Sequence, residues 1–355
     1  MYVMIITLEI LILILLLVIL KESFPIIEDY IKIFSDSIGQ DKNRVLYRKN
    51  IKKEKLDLNF NEIYSQLYEN NNSILENKRC KYRNNHFCEF MLGIPLFLSF
   101  IGLSLYSIDK RITIASFLLI IVFGILFIIN SIKHDSSKKD YIEYYKENII
   151  KRLISKVFNN FKYTYNFNDH NIHTFASNIF YNAYFEEHNY GNISCDDLIE
   201  TNLDDGTDIK IMEIKNICGS FRGIVTYIRN NKEVSDEIKI TRNRTKLSKK
   251  DNIVMDSNEF EKYFDVHSNN KIIAMQVLTS DLIQLIDDFY NKFNLQFEIV
   301  IKNGIYISFV TGHLFEPRVY KKCMKQEELF IYYSVLEFIR DLSKTLNDAL
   351  NSLEI

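Results

Sequence analysis

Two uncharged apolar runs near the front of the chain constrain its structure more than any other feature. Residues 90–108 are 19 residues without a charge, and residues 112–132 are 21 more, with only Asp109, Lys110 and Arg111 between them. About 20 apolar residues, at a rise of about 1.5 Å each, cross a hydrocarbon core of about 30 Å. The pattern therefore predicts a tight transmembrane helical hairpin, with both long flanks on the same side of the bilayer.

A third apolar run occupies residues 1–20 and is interrupted by Glu9. The run has no basic segment before it and no small-residue cleavage site, which is unlike a cleaved signal peptide. Burying Glu9 costs about 2–3 kcal/mol, but the Ile, Leu and Val residues that follow contribute about −0.3 to −0.6 kcal/mol each. We expect a transmembrane helix here; the alternative is a helix that lies at the membrane surface.

The basic residues predict the orientation of the hairpin. Residues 21–89 are polar and helix-prone, and residues 41–83 hold eleven basic and six acidic side chains. Because positive charge accumulates on the cytoplasmic side, both flanks are expected in the cytoplasm and the Lys110–Arg111 turn outside. Each base near an anionic leaflet is worth about 1 kcal/mol. Four basic residues before the hairpin are therefore predicted to contact lipid headgroups: Lys78, Arg79, Lys81 and Arg83. The alternative is that their charges only keep a helix soluble.

Residues 133–355 have no further run of membrane-spanning length and are numerous enough to bury a core of their own. Their apolar spacing predicts an α+β domain with a mostly antiparallel sheet and flanking helices. Residues 166–206 have no clear periodicity and are expected to be irregular. Helices are predicted at 140–161, 280–293 (with Ser280 as N-cap) and 326–350, and strands at 209–217, 221–229, 237–241, 260–266, 272–278, 297–301 and 305–310.

Five short blocks in the C-terminal part resemble a bacterial family of membrane proteins known as domain of unknown function 3137. The chain departs from the family pattern at Met275 and Ser280, where members tend to have Arg and Pro. The resemblance implies a membrane hairpin before the domain and a place in the bacterial inner membrane, but no activity, cofactor or catalytic residue. The blocks are Phe221-Arg222-Gly223, Phe260-Glu261-Lys262-Tyr263-Phe264 with Val266 and Ser268, Ala274 with Leu278-Thr279, Asn303-Gly304-Ile305-Tyr306-Ile307, and Phe315-Glu316-Pro317.

Two charged residues inside these blocks are candidates for a recognition surface. Arg222 stands between an aromatic residue and a glycine, which leaves it room to pair with an acid or an anion. Glu316 precedes Pro317, which restricts it to an extended backbone. The alternative for both is a purely structural role in an ion pair or a turn.

Signals for chemistry are otherwise weak. His170, His173 and His188 lie near Cys195, Asp196 and Asp197, but Asn-rich segments collect such residues by composition, so we expect a surface loop without a metal. The net charge of −2 gives no attraction to nucleic acid, and five cysteines without a C-x-x-C pair fit a reducing compartment. No hydrolase, zinc-protease or nucleotide-binding motif occurs.

The sequence therefore predicts a multi-pass membrane protein whose C-terminal domain is cytoplasmic. The hypothesis is a non-enzymatic, membrane-tethered binding or scaffold module that uses no cofactor and contacts the lipid bilayer. Its C-terminal domain would recognise either an unidentified protein or a membrane-surface ligand such as an anionic lipid. The alternative hypothesis is a membrane-tethered enzyme of unknown reaction.

Overall fold

The computed structural model describes residues 58–104, 110–165, 170–183, 193–216, 221–229, 232, 234, 236–242, 252–312, 314–320 and 324–353. The predictions for residues 1–20 and for the bases between 42 and 55 lie outside this part of the chain. The chain divides into two compact units. The described part of the first is residues 73–104, 110–143 and 319–320, and the second combines residues 58–72 with the described residues of 144–318 and 324–353.

The first unit contains the greater part of two long helices, α1 (Leu58–Ser104) and α2 (Lys110–Tyr145). Both are long and apolar enough to cross a membrane. They contact each other in antiparallel order: Gly102 lies against Ser116, Gly93 against Phe127, and Asn85 donates a hydrogen bond to Ser137 Oγ at 3.1 Å. The predicted runs at 90–108 and 112–132 thus fall on two packed helices, although Asp109 and the end of the first run lie outside the described residues.

The second unit contains a nine-stranded sheet whose described ladders are all antiparallel, in the order β1-β2-β3-β4-β9-β8-β5-β7-β6. This confirms the predicted α+β fold. The strands are β1 (Phe161–Tyr165), β2 (Ile193–Asn202), β3 (Asp208–Asn216), β4 (Arg222–Ile228), β5 (Ile238–Arg242), β6 (Asn252–Ile253), β7 (Phe264–Ser268), β8 (Gln296–Ile301) and β9 (Ile305–Val310).

Helices follow and interrupt these strands. After α2 comes a π-helix (Lys146–Ile150), and then α3 (Lys151–Val157). The others are α4 (His170–Ala183), a 3₁₀ turn (Phe260–Lys262), α5 (Lys271–Val277), α6 (Ser280–Phe293) and α7 (Gln326–Ser352).

Alternation along the strands directs apolar side chains to both faces of the sheet. On one face, α4 packs Ile179 and Phe180 against a core that includes Val225. On the other face, the ring of Phe289 on α6 stacks on Phe338 of α7 at 4.0 Å, and both contact Phe309 of β9. The sheet is therefore covered on both faces, which explains its many apolar residues at both strand parities.

Three predictions about local structure were wrong. Residues 166–206 are not irregular, because they contain α4 and β2; α4 carries apolar residues at helical spacing, from Ile172 to Ala183. Residues 272–278 form α5 instead of a strand, since the Asn270 side chain accepts a hydrogen bond from Ile273 N and caps the helix. The predicted strand at 260–266 begins as a 3₁₀ turn and becomes β7 only at Phe264.

The prediction for α6 was correct in its extent but not in its cap. Thr279, one residue before the predicted cap, accepts the hydrogen bond from Leu282 N at 3.4 Å. The hairpins β3–β4 and β8–β9 and the closing helix α7 are confirmed.

Candidate functional site

A buried lysine joins the π-helix to the sheet. The ammonium of Lys146 lies 2.9 and 3.0 Å from the two carboxylate oxygens of Asp197 and 2.6 Å from Glu316 Oε1. Lys146 is 1% exposed and Asp197 is fully buried, while the Glu316 side chain is 30% exposed. A π turn is rare and is frequent at functional sites, and this one begins at the lysine itself. We refer to Lys146, Asp197 and Glu316, together with Tyr163, which is hydrogen-bonded to Asp197, and Glu213, which pairs with Asp197 across two strands, as the Lys146 cluster.

A β-bulge in β2 directs Asp197 toward Lys146. Pairing of β2 with β3 shifts register between Cys195 and Asp197. Cys195 belongs to the core on the α4 face, and a regular strand would put a residue two positions later on that same face. The bulge inserts one residue and so turns the Asp197 carboxylate to the opposite face of the sheet.

Two neighbours complete the cluster. Tyr163 on β1 donates its hydroxyl to Asp197 Oδ1 at 2.6 Å. Glu213 is directly opposite Asp197 on β3, and its carboxylate accepts hydrogen bonds from the backbone N–H groups of Leu314 at 2.7 Å and Phe315 at 3.2 Å. Glu213 therefore holds the segment that carries Glu316 next to the lysine.

The charges of the cluster determine its protonation. Burial alone would lower the pKa of Lys146, but the nearby charges of Asp197 and Glu316 outweigh burial and raise that pKa above its ordinary value. Burial is also the main cause that raises the pKa of Asp197; Glu213 and Glu316 add to the increase, and Lys146 opposes it. Lys146 therefore stays protonated at neutral pH, and acts as a charged clamp instead of a base or a nucleophile.

The cysteine beside the bulge is equally unreactive. Burial, followed by the charge of Asp197, raises the pKa of Cys195 to about 12. Because the thiolate is the reactive form of cysteine, Cys195 is a core thiol at neutral pH.

The two residues predicted to form a recognition surface, Glu316 and Arg222, have different surroundings in the structure. Glu316 belongs to the Lys146 cluster, where it makes the structural ion pair that the sequence left as its alternative. Arg222 opens β4 opposite Lys215, and its carbonyl accepts a hydrogen bond from Gly312 N at 2.9 Å. Recognition by either residue remains a prediction.

Sequence reasoning missed the centre of the cluster. Lys146 directly follows Tyr145, on a helix whose apolar face continues through Ile149. A lysine next to such a face was the available signal, whereas Asp197, which directly follows Asp196, gave none. Neither residue type is commonly buried unless it is paired.

One histidine of the stretch from His170 to His188 makes a structural hydrogen bond among the described residues. His173 on α4 accepts a hydrogen bond at Nδ1 from the backbone N–H of Cys195 at 3.2 Å. His170 begins α4, and His188 lies outside the described residues. Among the residues that the structure describes, no three His, Cys, Asp or Glu side chains form a metal-binding group.

The four bases before the apolar run of α1 have different surroundings. Lys78 pairs with Asp140 at 2.5 Å. Arg79 is 7% exposed, pairs with Glu76 and donates a hydrogen bond to the carbonyl of Val319 at 2.8 Å. Lys81 is exposed, and Arg83, like Lys78, is half-buried.

The C-terminal part matches a known family. Residues 219–348 fit the family model described as Protein of unknown function (DUF3137). The family resemblance is confirmed. No curated protein matches the chain. A crystal structure of the mycobacterial trehalose monomycolate transport factor A, TtfA, is similar over 60% of this chain and 95% of that one, with 11% identity and a TM-score of 0.35.

Proposed function

We propose that this protein is a non-enzymatic, membrane-tethered binding module. The observation that carries the proposal is the surface of the two packed helices. Large apolar side chains point outward along both, including Phe97 and Leu98 on α1 and Ile114, Phe117 and Leu118 on α2. An apolar surface of this length is unusual for a soluble protein and is typical of one that faces lipid.

In this proposal the chain is a multi-pass protein of the bacterial inner membrane, with the DUF3137-like domain in the cytoplasm. The excess of Lys and Arg on both flanks of the hairpin supports that orientation. The domain would recognise a protein partner near the membrane surface.

The chemistry of the Lys146 cluster favours binding over catalysis. The raised pKa values keep Lys146 as an ammonium and Cys195 as a thiol, so neither offers an electron pair to a substrate. The cluster connects the π-helix, the sheet and the Glu316 segment, which suits a rigid scaffold.

Membrane fractionation tests the anchor. The full chain is expected to stay in the pellet after alkaline carbonate washing and to dissolve in detergent. Release by carbonate would contradict membrane insertion.

A reporter fused after Ile355 is expected to be active only in the cytoplasm, and a tag at Asp109 is expected to be labelled from outside; the reverse pattern would contradict the orientation.

Turnover measurements test the absence of catalysis. The purified full chain in lipid nanodiscs is expected to show no hydrolysis of ester, phosphate or peptide substrates above a denatured control. Turnover that Glu316→Gln abolishes, in a variant that still folds, would support the enzyme alternative instead.

A further inference from the structure

Acidic side chains gather where the segment before β7 meets α6. Ser257 Oγ lies 3.5 Å from Asp287 Oδ2 and also accepts a hydrogen bond from Phe260 N at 3.2 Å. Glu259, in that segment, and Asp288, on α6, both act on Asp287 by charge repulsion. Asp256 and Glu261 belong to the same segment, and Lys262 is the single base between residues 252 and 265.

Asp287 itself lacks a counter-charge in the described structure. It is 8% exposed, and its Oδ1 has no hydrogen-bond partner among the described residues. Burial first, and then the charge of Glu259, raise its pKa to about 6. A buried carboxylate oxygen without a partner costs free energy, and a nearby cation would offset the repulsion between Asp287 and the two neighbouring carboxylates.

Two apolar side chains of the same segment are exposed. Val254 is 68% exposed and Tyr263 is 36% exposed. The ring of Tyr263 packs on Tyr290 of α6 at 4.7 Å, which places it next to the helix that carries Asp287. Exposed apolar groups bordered by charge are typical of surfaces that bind another protein.

We infer that Val254, Tyr263, Glu259, Asp287 and Asp288 form a docking surface for a partner-protein segment that presents a Lys or Arg beside an apolar side chain. The ammonium or guanidinium would pair with the exposed carboxylates of Glu259 and Asp288 and be attracted by the buried charge of Asp287, and the apolar side chain would cover Val254 and Tyr263. The inference specifies which kind of protein the proposed binding module would recognise, and it therefore rests on that proposed function.

Charge complementarity selects this occupant over two others. An anionic lipid surface would be repelled by the carboxylates. A divalent metal ion needs several oxygen ligands around one point, and the described residues offer no such group. One basic side chain needs only nearby negative charge, which the exposed Glu259 and Asp288 supply.

A peptide of alternating Lys, Leu, Arg and Phe tests the inference. Its binding to the full chain in nanodiscs of neutral lipid is measured by fluorescence anisotropy. We expect Asp287→Asn to weaken binding about tenfold, the loss of one well-placed charge pair, and Asp204→Asn, an exposed acid in the β2–β3 turn, to change nothing. Affinity of the wild type should fall as the pH drops through about 6, because Asp287 then takes up a proton.

Three results would overturn the inference. The first is equal peptide affinity in the wild type and in a double variant with Asp287→Asn and Glu259→Gln. The second is equal binding of a control peptide in which Gln replaces every Lys and Arg. The third is binding of anionic vesicles through Val254 and Tyr263. Thermal unfolding confirms that each variant is folded. Carbonate extraction tests membrane anchoring and does not depend on peptide binding, so the two proposals can fail separately.

Discussion

The ammonium of Lys146 lies 2.6 Å from the carboxylate of Glu316, a residue of the distant Phe-Glu-Pro block. This pair connects the helix that follows the apolar hairpin with the region that resembles the family. The Glu316 end is half-buried while the Lys146 end is buried, so the pair closes an otherwise inaccessible cluster.

Removing the lysine should destabilise the domain strongly. Lys146→Ala leaves the buried Asp197 carboxylate without its partner, and we expect a loss of about 3–5 kcal/mol in the free energy of unfolding. Denaturant unfolding of the detergent-solubilised chain measures it. Lys151→Ala, which breaks only an exposed pair with Glu147, should cost less than about 0.5 kcal/mol.

The same cluster allows a double-variant test. Lys146→Met with Asp197→Leu removes both charges, so it should cost clearly less than the sum of the two single changes. Additive losses would show that the ion pair does not couple the two residues.

Gly223 should tolerate no side chain. A Cβ at this position would lie 1.8 Å from the carbonyl oxygen of Phe309, which is backbone of the neighbouring strand and cannot rotate away. We expect Gly223→Ala to cost about 1–3 kcal/mol or more. Gly304→Ala meets the ring of Tyr227, a side chain that can shift, so its loss should be smaller. An equal effect of the two changes would contradict this account.

Asp287 should make stability fall as pH rises. Its folded-state pKa of about 6 is above the unfolded value of 3.8, so the folded state holds the proton more tightly between these values. Stability from this group is therefore gained as the pH falls from about 7 to 4. Asp287→Asn should raise stability at pH 7.5 by about 1–2 kcal/mol and flatten this part of the profile, as thermal unfolding across pH would show. A less stable variant at pH 7.5 would contradict the prediction.

The hairpin should depend on a close approach of its helices. A Cβ on Gly102 would lie 2.0 Å from Ser116 Oγ, so Gly102→Leu should separate α1 and α2 and lower the midpoint of thermal unfolding in detergent. A Cβ on Gly124 would meet no neighbouring group within 4 Å, and Gly124→Leu should leave the midpoint unchanged. Similar midpoints for both variants would argue against packing at Gly102.

Contact with headgroups should come mainly from Lys81 and Arg83, because Lys78 and Arg79 already have protein partners. We expect nanodiscs containing anionic lipid to raise the thermal midpoint of the wild type. Neutralising Lys81 and Arg83 to Gln should remove most of that increase, at about 1 kcal/mol per charge. If the double variant shows the same increase in thermal midpoint with anionic lipid as the wild type, these two bases do not contact headgroups and serve only to set the orientation of the hairpin.

Periodicity in the sequence was enough to predict the elements that have one clear apolar pattern. The runs that form α1 and α2, the hairpins β3–β4 and β8–β9, and the helices α6 and α7 all follow from local spacing and turn residues. Local pattern failed where tertiary contacts decided the outcome. The apolar spacing of α4 is present in the sequence, but its neighbouring Asn-rich residues obscured it. Ile272 and Ile273 belong to a helix despite their strand preference, since Asn270 caps that helix.

The sequence by itself determined the apolar hairpin, the α+β class and the family-like blocks, because each depends on residues close together in the chain. Only the tertiary structure decided the Lys146 cluster. Asp197 faces Lys146 because a bulge in β2 turns its side chain to the opposite face of the sheet. Glu213 on β3 holds the segment that carries Glu316 by accepting hydrogen bonds from its backbone. The Asp287 surface likewise arises only when the segment before β7 meets α6. Charged groups far apart in sequence shift one another's pKa only when the fold brings them close together.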